Sequence, residues 1–89
     1  MALRFRPTGQ FDKDMKVLAR RGLDLDLLED VVERLRRRER LPRRFQDHSL
    51  VGKYRRNREC HVAPDWLLVY RVEGDELIAV RTGSHSDLF

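Results

Sequence analysis

Trp66-Leu67-Leu68-Val69-Tyr70-Arg71-Val72 is an almost unbroken apolar run. It is too short for a core helix and rich in branched and aromatic side chains, so it reads as a strand. Because polar residues do not alternate along it, that strand must be covered on both faces, as a central strand is. Downstream, Glu73-Gly74-Asp75 is a hairpin turn, and Glu76 to Thr82 is the next strand. Upstream, Ala63-Pro64-Asp65 is a turn with Pro and Asp in favoured places, preceded by an imperfectly alternating strand from Tyr54 to Val62. Side-chain alternation places Ile78 and Val80 on one face of the last strand, expected to meet helices, and sends Arg81 to the open face.

Farther out the period changes. Arg43 to Gly52 reads as a loop containing His48. Leu28, Val31, Val32 and Leu35 form one helical stripe, capped by Asp24 or Asp26 and broken by Leu41-Pro42. Phe11, Met15, Leu18 and Ala19 form another, capped by Thr8 and stopped by Gly22. Leu3-Arg4-Phe5-Arg6 alternates like a half-buried strand. The resulting order, β-α-α-β-β-β, predicts an α+β fold in which a helical hairpin packs on one face of a mainly antiparallel sheet. Residues 1–89 are expected to form a single domain.

Composition narrows the function classes. With 89 residues the core is modest, burying about 60–65% of the unfolded surface. No apolar run can span a bilayer, residues 1–6 lack the apolar region of a secretion signal, and the lone Cys60 fits a reducing compartment; a cytoplasmic protein is expected. The net charge is +4, but its placement is more informative. Seven arginines fall between Arg34 and Arg44 with only Glu39 against them, and Lys53, Arg55, Arg56 and Arg58 follow. Cations at a helix end offset its dipole, yet two such clusters favour an anionic partner such as nucleic acid.

All three histidines lie in the second half, with Asp65, Trp66 and Arg81 nearby. Imidazoles suit proton transfer near neutral pH without a cofactor. RNA cleavage needs a base for the 2′-hydroxyl, an acid for the departing 5′-oxygen and a cation for the phosphorane-like charge. His48, His61, Asp65 and His85 with Arg81 supply those parts, while Trp66 or Phe89 are candidates for stacking on a base. Each also has a structural alternative: Asp65 as a turn residue, Trp66 as core, Arg81 as an internal ion pair. Cys60 should point opposite to His61 and be buried. The histidine spacings match no compact metal-ligand motif, so neither metal nor other cofactor is expected.

Asp47-His48-Ser49-Leu50-Val51-Gly52, Arg58 to Tyr70 and Arg81 to Phe89 resemble the YafQ branch of the RelE/ParE toxin superfamily. The resemblance implies a RelE-like fold and a ribosome-dependent endoribonuclease that cuts mRNA in the A site of the 70S ribosome. It implies catalysis by His48, His61, Asp65 and His85, with Trp66, Arg81 and Phe89 at the same site. Lys53 and Arg55 are expected to help hold the RNA. It also implies an antitoxin partner similar to DinJ; the free toxin is expected to be a monomer that forms a hetero-oligomer with the antitoxin. Tyr54 stands where the family often has Trp, and Arg56-Asn57 replaces a frequent Gly-aromatic pair. The competing expectations are an RNA- or ribosome-binding module without cleavage and a ParE-like gyrase inhibitor.

Overall fold

The computed structural model describes residues 1–89. Strand β1 (Arg4–Pro7) leads into helix α1 (Gly9–Arg20), which Thr8 caps by accepting the Phe11 amide. Gly22, at φ +77°, ends that helix: its amide and that of Leu23 return to Ala19 and Leu18. Asp24 caps helix α2 (Leu25–Arg36). This helix stops before Pro42, at Arg38, which takes the same left-handed conformation (φ +61°) without being glycine. The Arg38 and Glu39 amides close the end on Leu35 and Arg34.

A 3₁₀ turn (Arg43–Phe45) then delivers strand β2 (His48–Ser49), and a second (Gly52–Tyr54) precedes β3 (Arg58–Ala63). Strands β4 (Trp66–Glu73) and β5 (Glu76–Gly83) and the short helix α3 (His85–Leu88) complete the chain. The sheet order is β1-β5-β4-β3-β2, with β1 parallel to β5 and the other pairs antiparallel. The α+β architecture matches the expected one, with two additions. His48 belongs to a two-residue strand paired with Glu59 and Arg58 rather than to a loop, and the tail is helical. Strand β3 also starts later than expected, at Arg58, because Arg56 turns left-handed at φ +76°.

Packing follows the apolar patterns. Trp66 to Tyr70 are buried on β4, the central strand, as expected, whereas Val72 is 49% exposed, so the cover on both faces ends before the apolar run does. One face of the sheet, with Cys60, Trp66, Leu68, Tyr70, Leu77 and Ala79, meets Phe11, Leu18, Leu28, Val31 and Leu35 from the helices in a 15-residue cluster. The other holds only Tyr54, Leu67, Val69 and Leu88, with Leu50 and Val80 alongside. Leu77 and Ala79 therefore face the helices, and the expectation for Ile78 and Val80 is reversed. Arg81 nevertheless reaches the open face, because β5 carries a bulge. Val69 pairs with Arg81 and Tyr70 with Ala79, so Val80 is an extra residue that shifts the alternation by one. Thr8 supports the bulge, its hydroxyl donating to the Val80 carbonyl at 2.8 Å and its amide to the Ala79 carbonyl.

Candidate active site

On the open face, His61 sits opposite Leu67, while its neighbour Cys60 lies opposite Leu68 within the helix-side core. Burial pushes the Cys60 thiol up to about 12, so it stays protonated and inert as a nucleophile. His48 pairs with Glu59 across β2 and β3, which puts it on the open face, diagonally beside His61.

The third histidine arrives on α3. Ser84 and Asp87 cap each other's amides at the start of this helix, and Arg21 grips Asp87 with two hydrogen bonds of 2.8 and 3.1 Å. The Arg21 guanidinium and the Ser84 amide hold the Asp87 carboxyl well below the usual carboxylate range. Four residues would make a marginal helix alone; these anchors and the burial of Leu88 fix it. His85 is thereby held 6.1 Å from the His61 ring and 6.0 Å from Phe89, measured between centroids. Phe89 in turn packs edge-on against Tyr54 at 5.5 Å. From the turn before β4, the Asp65 carboxylate accepts the His85 amide at 3.2 Å and lies 3.5 Å from its Nδ1.

His61, Asp65, His85 and Phe89 are thus brought together, with Tyr54 as their apolar support. His48 stands one strand away and is engaged: Nε2 is 3.1 Å from a Glu59 carboxylate oxygen and Nδ1 is 3.2 Å from the Ser49 carbonyl. Both ring nitrogens face acceptors, and a neutral imidazole has a hydrogen for only one of them. Glu59 is 4% exposed, and its second oxygen, Oε1, has no hydrogen-bond partner. A buried carboxylate oxygen left open is costly, and it sits on the face where the imidazoles gather.

Arg81 is held from behind. Its Nε and Nη2 donate to both Asp14 oxygens at 3.1 and 2.9 Å, and Asp14 also accepts the Thr82 amide. Burial opposes ionisation of Asp14, but hydrogen bonds from Arg81, Gln10 and the Thr82 amide outweigh it and lower its pKa. Asp14, followed by the Tyr54 hydroxyl, raises the already high pKa of Arg81, which stays charged. Only Nη1 is left free of Asp14. Trp66 does not join the site. It is 3% exposed, in the helix-side core, with its indole N–H donating to the Thr82 hydroxyl at 2.9 Å. Stacking of Trp66 on a base is corrected to a core role. Lys53 stands over the Tyr54 ring at 5.5 Å, and Arg55 is exposed in the same connection.

Asp14 and Glu59 are absent from the sequence reading, although each left a signal. Asp14 lies three residues after Phe11 on the buried stripe of α1, where a charge needs a partner. Glu59 is two residues from His61 and so shares its face.

Residues 3–89 match the family model described as bacterial toxin of type II toxin-antitoxin system, YafQ. The mRNA interferase toxin YafQ of Escherichia coli K12 is 36% identical over 83 residues, covering 92% of this chain and 90% of that protein. Among solved structures, a copper-bound mutant toxin from Helicobacter pylori superposes with a TM-score of 0.93. It is 47% identical and covers 98% of this chain and 99% of its own. The toxin in the E. coli DinJ-YafQ toxin-antitoxin complex gives 0.90 at 33% identity, covering 100% and 99%.

Proposed function

This chain belongs to the YafQ family of bacterial type II toxin–antitoxin toxins, and on that premise we propose that it is an endoribonuclease that cuts mRNA in the ribosomal A site and so arrests translation. The observation that carries the reading is the gathering of His61, Asp65 and His85 on an open sheet face. Arg81 lies on the same face, and an apolar floor of Leu67, Val69 and Tyr54 lies beneath.

The 2′-hydroxyl of the substrate attacks the adjacent phosphorus, and the 5′-oxygen leaves. His85 is the acid: Asp65 holds its amide and Nδ1 side, leaving Nε2 to give a proton to the leaving oxygen. His48 is the base. It takes the 2′-proton once one ring nitrogen turns from its acceptor toward the ribose, and Glu59 then stabilises the imidazolium. Asp65, already occupied with His85, is the less suited of the two candidate bases. No side-chain hydrogen bond to another residue restrains His61, so its ring is free to orient or stabilise the phosphate. The free edge of Arg81 faces the charge that builds in the transition state. Phe89, 61% exposed, takes the stacking role in place of Trp66.

The relative from H. pylori is described as copper-bound. Here no three His, Cys, Asp or Glu side chains are grouped closely enough to hold a metal ion, and the proposed steps are acid–base steps alone. Cleavage in excess chelator would fall if a metal took part. The partner proposed is an antitoxin similar to DinJ; charge complementarity to a chain of net charge +4 calls for an acidic segment on that partner. The deciding experiment compares one mRNA, free and on programmed 70S ribosomes, with 5′ ends mapped after exposure to the purified protein. Cuts confined to A-site codons are expected. Intact mRNA on ribosomes would refute the proposal, and gyrase binding in its place would favour the ParE-like reading.

A further inference from the structure

The arginines of residues 34–44 are not equivalent. Arg34 pairs with Asp30, Arg36 with Glu33 and Arg37 with Glu39. Arg40, Arg43 and Arg44 are exposed and pair with no carboxylate. These three line two open grooves that share Gln46. The first runs between Arg44 and His61; the second continues past Gln46 between Arg40, Arg43 and Arg58. The one carboxylate on their walls is Asp47, and its Oδ1 already accepts Arg58 Nε and the Tyr70 hydroxyl, so its charge is compensated internally. Arg44 is steadied by the Phe45 ring, 4.6 Å from its guanidinium.

We propose that this groove is a track for RNA backbone phosphates flanking the linkage that is cut. The inference rests on the RNA-cleaving function proposed above and adds which part of the chain holds the strand. Unpaired guanidinium forks match phosphate oxygens in geometry and charge. Their line ends at His61, where the scissile phosphate must lie, so one polyanion can occupy both. A docked acidic peptide would also want apolar pockets for anchoring side chains. The second groove has only one apolar residue besides Pro42, Leu41, and it is buried; in the first, Phe45 and Val62 are likewise buried in the core, leaving Ala63 and Pro64 as its accessible apolar wall.

The test uses Arg40→Gln/Arg43→Gln/Arg44→Gln. A charge-matched control, Lys13→Gln/Lys16→Gln/Arg20→Gln, lies on the exposed face of α1. Both are compared with wild type for binding a short single-stranded RNA whose 2′-positions are methylated, across a salt series, and for mRNA cleavage on ribosomes. If three phosphate contacts are lost, the slope of log affinity against log salt should flatten by roughly 2 in the groove variant, at about 0.7 per contact. The control should barely move, and both should melt like wild type. Equal losses in the two variants would reduce the effect to net charge and overturn the track. So would undetectable binding by wild type, or full RNA binding by the groove variant alongside weakened binding of the antitoxin. Wild type that leaves mRNA whole refutes the function itself; wild type that cuts while the groove variant binds and cuts equally well refutes only the track.

Discussion

The two faces of the sheet are built from the same three strands and do opposite work. Toward α1 and α2, a 15-residue apolar cluster leaves no ionised group without a partner. Toward the open side, four buried apolar residues support three imidazoles, an arginine and two carboxylates, one of which has an unsatisfied oxygen. The first face is optimised for burial. The second tolerates polar groups that burial would penalise, which is the usual cost of having chemistry available. Stability and activity should therefore separate by face when single residues are changed.

The largest separation is expected at His85→Ala. Loss of the acid should lower ribosomal mRNA cleavage about 10²–10⁴-fold with the melting temperature unchanged. Near-normal cleavage by that variant, with loss in His48→Ala, would exclude His85 as the acid. Leu68→Ala, at a fully buried position on the helix side of β4, should do the reverse and remove about 2–5 kcal/mol in urea unfolding. Trp66→Phe sharpens the division. It deletes the bond to Thr82 at a cost of about 1 kcal/mol, and catalysis per folded molecule should persist. A large fall in cleavage at full stability would return Trp66 to the site.

Asp14 links the faces, and its effect depends on pH. Its carboxyl is lowered in the folded state, so its contribution is complete above the ordinary carboxyl pKa of 3.8 and is lost as pH falls through the folded value. Asp14→Asn should accordingly flatten the acid limb of the stability curve; a variant and wild type differing equally at pH 3 and pH 7 would contradict that. The smallest effect is a gain. Arg56, at φ +76°, occupies a conformation that glycine adopts freely, and Arg56→Gly should add up to about 1 kcal/mol.

Much of the fold was legible because its signals are local. Thr8, Asp24 and Gly22 act within a turn of themselves, and the apolar run of β4 states its own burial as far as Tyr70. The same holds for Cys60 and His61, which alternation separates correctly. Strand β2 and helix α3 escaped since two and four residues carry no period. The bulge at Val80 escaped too, for it exists only in register with β4. In the site, the histidines were visible as residue types. Their supports were not: Asp14 meets Arg81 across 67 positions, and Glu59 meets His48 across a strand pair.

The extra residue in β5 amounts to a change of parity. Before it, odd-numbered positions build the core; after it, the even-numbered Thr82 turns inward to receive the indole of Trp66, and Arg81 turns outward. Drawn out straight, with Val80 kept as an ordinary strand residue, β5 would exchange those two assignments at a stroke, forcing a cation into the hydrocarbon layer and stranding a hydroxyl in water. One residue out of register thus decides which of two adjacent side chains is presented to the site, with no side chain changed.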